Sequence, residues 1–167
     1  MKPSSEDSGE RGYRPCVAIV LFDDRGRVLV AERSDLEEAA WQLPQGGIDP
    51  GETAQSAARR ELAEEIGTAN AAFLAEAPDW IAYDLPAGIG SAPWSRRYRG
   101  QRVKLVALRF TGRDEDIDLA TQSPEFRAWK WVQLENLPGM IVDFKKPLYQ
   151  AAVREFRSLR DRLRKPR

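Results

Sequence analysis

Apolar positions fall into short blocks along this chain, not into one long repeat. Residues 16–23, "CVAIVLFD", form a β-branched-rich run, the pattern of a buried strand. Turn residues "DDRG" follow, then the alternating "RVLVAER", so 16–33 is expected to be a hairpin. Apolar or alternating runs recur at 71–77, 79–85, 102–110 and 125–132, and each predicts a further strand. Two stretches carry helical spacing instead. "AQSAARRELAEEI" lies between Thr53, a good N-cap, and Gly67, a good residue for the left-handed turn after a helix. Near the end, Leu148, Ala152, Phe156, Leu159 and Leu163 predict an amphipathic helix. Residues 34–40 read as a loop or short helical turn. The segment 41–52, "WQLPQGGIDPGE", holds enough Gly and Pro to forbid regular structure through most of its length. The long 86–101 segment is irregular, and such loops are more often functional than idle. The sum is one mixed α/β or α+β domain over 13–160, with a polar, flexible tail at 1–12 and a basic tail at 161–167.

Composition removes several chemistries. The 26 basic and 26 acidic residues balance, so net charge points to neither a nucleic-acid nor a membrane partner. Charge is uneven, however: the last stretch, "VREFRSLRDRLRKPR", is a local basic patch. Histidine is absent, which excludes a Ser-His-Asp triad, a Cys-His pair and His-ligated zinc. Any general acid or base must be a carboxylate, Lys, Tyr or bound water. The single cysteine, Cys16, forms no intrachain disulfide, which fits a reducing cytoplasm. No apolar run is long enough to span a bilayer as a helix, so no membrane partner is expected.

The first helix carries a conflict. At 100° per residue, Glu61, Glu64 and Glu65 fall within an arc of about 100°, beside the Ala58, Leu62 and Ile66 stripe that faces the core. Like charges at this spacing repel. One resolution is a solvated face balanced by Arg59 and Arg60; the other is a divalent cation, since hard ions take several carboxylate oxygens. The preceding Gly46, Gly47 and Gly51 favour the second, because they let backbone approach a metal or phosphate closely.

Gly46, five residues, Glu52, seven residues, then Arg60-Glu61-Leu62-Ala63-Glu64-Glu65-Ile66-Gly67 resembles the Nudix box, G-x5-E-x7-R-E-U-x-E-E-x-G-U. Only the last position departs, with Thr68 where an aliphatic residue is usual. The resemblance implies an α/β/α sandwich around a mixed sheet and hydrolysis of a nucleoside diphosphate linked to another moiety. It assigns Glu61, Glu64 and Glu65 to magnesium, with manganese as a substitute and more than one ion per site, and adds the Gly46 carbonyl as a ligand. Glu52 and Arg60 are implied to pair, holding loop and helix in register. Glu64 or Glu65, or a carboxylate from elsewhere, is to take the proton of the attacking water.

"GYRPCVAIVLF", "YDLP", "YRGQRVK" and "SPEFRAWKWV" with "IVDFKKPLY" resemble RNA pyrophosphohydrolases and their relatives, the diadenosine polyphosphate hydrolases, over residues 12–156. This implies Glu125 as a further metal ligand, Arg14 and Lys104 at substrate phosphates, Phe144 stacked on a nucleobase, and Lys145 suited to a phosphate. Leu105 and Val106 replace an aromatic pair usual in relatives. Trp94, among Arg96, Arg97 and Arg99, suggests a nucleic-acid-facing patch or else a solvated loop. The expected function is magnesium-dependent removal of pyrophosphate from 5′-triphosphorylated RNA in the cytoplasm. The rivals are cleavage of a dinucleoside polyphosphate and a non-catalytic Nudix domain that binds nucleotides or RNA.

Overall fold

The computed structural model describes residues 12–35, 40–86, 97–122 and 124–165. The chain builds one mixed sheet with helices on both faces. The strands are β1 (Tyr13–Phe22), β2 (Val28–Arg33), β3 (Trp41–Gln42), β4 (Gln45–Gly47), β5 (Ala71–Asp84), β6 (Gly100–Phe110) and β7 (Phe126–Val132). The helices are α1 (Ala54–Ile66), α2 (Leu137–Met140) and α3 (Lys146–Arg164). The main path runs β3-β2-β1-β6-β5, with β4 added to β1 and β7 to β2. Central β1 pairs in parallel with β6, Tyr13 opposite Gly100 through Phe22 opposite Arg109. Its other neighbours are antiparallel: β4 along Cys16–Ala18, and β2 at Phe22. That double pairing explains the unbroken apolar run of β1, whose Cys16 to Phe22 are fully buried.

The expected 16–33 hairpin is present as β1 and β2, turned by Asp23, whose carboxylate accepts N–H bonds from Arg25 and Arg27. Helix α1 has the bounds its caps predict. The Thr53 hydroxyl accepts the Ser56 N–H at 3.0 Å, and Gly67 closes the helix at φ +77°. A side chain at Gly67 would bring Cβ within 2.5 Å of the Asp118 carbonyl, so the position requires glycine twice over. Ala57, Ala58, Leu62 and Ile66 are fully buried against Val17, Ile19, Leu29, Val106 and Leu108. On the opposite face α3 lays Leu148, Tyr149, Ala152 and Phe156 against Ala18, Val20, Val103 and Leu105. A fully buried Leu62 or Leu148 contributes about 1.5–3 kcal/mol.

One expectation is corrected and one refined. Segment 41–52 is irregular over most of its length, as its Gly and Pro content predicts, but two short strands, β3 and β4, interrupt it. Gly46 and Gly47 lie in β4, where β1 supplies pairing partners that no local propensity announces. Residues 71–85 do not form two strands. A single β5 runs through Pro78; its register breaks between Phe73 and Ala75 and again between Glu76 and Trp80, the second of which accommodates the missing N–H of Pro78.

Candidate active site

Helix α1 sorts its three glutamates by rotation. Glu65 sits beside the core stripe and is only 3% exposed; Glu61 is mostly covered; Glu64 faces solvent. The Gln45 N–H donates to one Glu65 oxygen at 3.2 Å, while the other, Oε1, is buried without a hydrogen-bond partner. Burial, reinforced by Glu125 and Glu61, pushes the Glu65 carboxyl well above the usual carboxylate range. Glu61 is raised as well, again mainly by burial.

Glu61 reaches its place only because Gly46 has no side chain. A Cβ there would stand 1.9 Å from the Glu61 carboxyl carbon. On neighbouring Gly47, a Cβ would lie 2.5 Å from the Arg14 guanidinium. Successive strand residues face opposite ways, so β4 admits a carboxylate on one side and a cation on the other.

Arg60 ties this arrangement together. Its Nε and Nη2 each donate to Glu52 at 2.8 Å, and Nη2 also donates to the Gly47 carbonyl at 2.8 Å. Its Nη1 donates to Glu61 at 2.9 Å and reaches Glu64 at 3.4 Å. Glu52 also accepts the Asp49 N–H, and Arg60 together with that bond holds its carboxyl down to about 2. The Arg60–Glu52 pairing between helix and loop is therefore present, and Arg60 also offsets part of the glutamate repulsion.

The remaining sequence-derived residues divide between two places. Glu125 enters just before β7, where its carbonyl accepts the Ser34 N–H and hydroxyl. Its carboxyl is raised by desolvation, and its charge bears on Glu65. Phe144 and Lys145 come from the turn before α3. Phe144 meets Tyr83 edge-on at 5.6 Å, and the Tyr83 hydroxyl joins the side chains of Gln45 and Gln101. Lys145 is partly exposed at the cleft, within electrostatic range of Glu65, and desolvation lowers its ammonium to about 8. Lys104 lies elsewhere. Val103 and Leu105 face α3 while Val106 and Leu108 face α1, so alternation sets Lys104 on the α1 face. There it donates to the Pro78 carbonyl at 2.7 Å and stands 3.8 Å from Glu76. Trp94 and Arg96 fall outside the described residues; Arg99 pairs with Asp84.

The sequence reading passed over three neighbours. Arg33, bonded to Asp35 at 2.9 Å, places its charge near Glu125 and Lys145. Gln45 and Tyr83 build the floor. A charged residue closing the apolar strand β2 was the available signal for Arg33; Gln45 and Tyr83 carried none.

Among the described residues no three acidic groups form a ready-made chelate. The donors nonetheless suit a hard divalent cation. They are carboxylate oxygens, one of them buried without a hydrogen-bond partner, beside a glycine cradle that holds Glu61 against the backbone. A bound cation would satisfy Glu65 Oε1 and relieve the carboxylates of their mutual repulsion.

Comparison with known proteins agrees with this geometry. A NUDIX domain family model matches residues 12–152. An RNA pyrophosphohydrolase of Rhodospirillum rubrum is 52% identical over 143 residues, 86% of each chain. One from Erythrobacter litoralis is 47% identical over 163 residues, 95% of this chain and 99% of the other. Among solved structures, the Escherichia coli dihydroneopterin triphosphate pyrophosphohydrolase superposes with a TM-score of 0.62 at 19% identity, covering 86% of this chain and 97% of that one. A Caenorhabditis elegans Ap4A hydrolase gives 0.61 at 20% identity, covering 87% and 98%. These two likenesses establish the α/β/α fold. With its box residues brought together at one cleft, this chain belongs to the Nudix family of hydrolases, whose members generally use divalent metal ions.

Proposed function

We propose that this protein is a cytoplasmic RNA pyrophosphohydrolase that releases pyrophosphate from the 5′-triphosphate end of RNA and leaves a 5′-monophosphate. The observation that carries the reading is the buried, half-satisfied Glu65 carboxylate, surrounded by Glu61, Glu64 and Glu125 and facing Lys145. Such a site suits a polyphosphate accompanied by divalent cations. The RNA end is favoured by the relatives of that name, which match nearly the whole chain.

Magnesium, or manganese in its place and more than one ion per site, would be held by Glu61, Glu64, Glu65, Glu125 and the Gly46 carbonyl. When bound it neutralises the phosphates and lowers the pKa of a coordinated water. The protein's own groups do the rest. Arg14 and Lys145 bind phosphate oxygens, and Phe144 stacks on a nucleobase, a contact worth about 1–3 kcal/mol. Lys104, as placed, takes phosphate only at the α1 face. Glu64, which faces solvent, or Glu65, or a carboxylate from elsewhere, takes the proton of the attacking water. Arg60 and Glu52 hold the box loop against the helix while this occurs.

The test is a competition in magnesium between 5′-triphosphorylated RNA and diadenosine tetraphosphate, with Glu65→Gln as the control. Pyrophosphate release from the RNA, lost in Glu65→Gln, is expected. Cleavage of the dinucleotide alone would assign the site to dinucleoside polyphosphates. Binding of RNA with turnover of neither would make the domain a non-catalytic binder.

A further inference from the structure

A cavity of about 540 Å³ adjoins the cleft on the α1 face of the sheet, walled by β5, β6 and the 47–52 loop. Trp80 lines it and stands 42% exposed, between apolar Pro15, Ile48 and Pro50 and several charged side chains. The Arg102 guanidinium lies 4.3 Å from the centre of the indole, and the Lys104 ammonium 5.5 Å. Arg97 and Tyr98 close the outer wall, and Arg14 and Gly47 line the side shared with the cleft.

The acids in this wall are already committed. Glu52 is bound by Arg60, Asp49 is 3.6 Å from Arg60, and Glu76 is the partner of Lys104. Arg97 and Arg102 are engaged by no carboxylate among the described residues; each lies instead over a ring. A guanidinium stacked on an aromatic keeps its N–H groups at the rim, in the plane that suits a phosphate. The exposed part of the indole offers stacking area to a base. An aromatic face with uncommitted arginines at its rim is the chemistry of an unpaired nucleotide in a strand.

We propose that this cavity is a subsite for single-stranded RNA, taking the phosphodiester and base of a nucleotide downstream of the 5′ end held in the Glu65 cleft. The inference rests on the RNA reading given under Proposed function. A chain leaving the cleft crosses Arg14 and Gly47, which border both places, and comes onto Trp80. Arg102 grips the backbone while Trp80 orients Arg102 and receives the base.

Two measurements test this. The first is fluorescence anisotropy of a 3′-labelled, 5′-monophosphorylated single-stranded RNA of about twelve nucleotides, which needs no turnover. The second is KM for the triphosphorylated form of that RNA and for a triphosphorylated dinucleotide. Arg102→Gln and Trp80→Ala are expected to weaken binding of the long RNA about tenfold, while Trp80→Phe retains most of it. Arg102→Gln also lowers the slope of log affinity against log salt by about 0.7. KM for the long substrate rises in parallel, and the dinucleotide is turned over as by the unsubstituted protein. Equal affinity of all variants for the long RNA, or an equal loss on the dinucleotide, would overturn the proposal. If the unsubstituted protein releases no pyrophosphate from either RNA, the RNA reading itself fails, and the anisotropy series still decides whether the cavity holds a strand.

Discussion

Replacing Glu65 by Gln separates the demands of folding from those of the site. Without metal, Glu65 presents one buried oxygen with no partner, and its ionised form is opposed by burial, Glu125 and Glu61. A buried unsatisfied polar group costs about 1–3 kcal/mol. Glutamine keeps an acceptor for the Gln45 N–H, removes the charge and adds donors among carboxylates. The metal-free variant should therefore be about 1–3 kcal/mol more stable at pH 8. For a chain of 167 residues that raises Tm by roughly 2–12 °C. The sign with pH follows from linkage. A carboxyl raised in the fold binds more protons folded than unfolded, so unsubstituted protein loses stability as pH climbs above about 4.5. Below that value the contribution is intact and the two proteins converge. Magnesium reverses the order at high pH, because an ion at 1,000 times its Kd adds about 4.1 kcal/mol to the protein that binds it. The assay is thermal unfolding across pH 4–8, in EDTA and in magnesium. A metal-free Glu65→Gln less stable than its parent at pH 8 would refute the reasoning.

Gly46→Ala forces a Cβ into the Glu61 carboxylate, so Glu61 must leave its place. Steady-state kinetics should show kcat/KM lower by about 100-fold, with the helix intact by circular dichroism. Tyr149→Phe deletes the buried hydroxyl that accepts the Leu43 N–H at 2.8 Å, and urea unfolding should report a loss of about 1–3 kcal/mol. Arg160 bonds Glu135 at 2.7 Å and holds its carboxyl down to about 2. That stability exists above the ordinary carboxylate pKa and disappears as pH falls through about 2. Glu135 is half exposed, so Glu135→Gln should cost under about 1 kcal/mol at pH 7 and nothing at pH 2, measured by urea unfolding.

Helix α1 was legible to the residue because its evidence is local: a cap, a three-to-four residue stripe and a glycine stop. The same holds for the buried Cys16–Phe22 run of β1, whereas the Arg60–Glu52 pair came only with the resemblance to the Nudix box. What escaped was non-local. Strand β4 exists because β1 passes beside it, and β5 survives Pro78 because its pairing with β6 breaks register between Glu76 and Trp80. The spacing of the box gave the candidate ligands, but not the rotation that buries Glu65 and exposes Glu64. Lys104 shows the converse limit. Its alternation was visible in the sequence, yet which parity faced which helix was settled only by the packing of Val103 and Val106.

The parallel pairing of β1 with β6 has a consequence for how the molecule forms. Tyr13 lies opposite Gly100, so the central pair of the sheet is separated by most of the chain. Parallel strands of such long range close slowly, since a large loop must be ordered before any bond rewards it. Helix α1 is complete by residue 67 and can fold early, but Glu125 and Lys145 come from the last third. A growing chain therefore carries the glutamates of α1 long before the groups that confine them. The cleft around Glu65 is complete only when the chain leading into the C-terminal helix has docked.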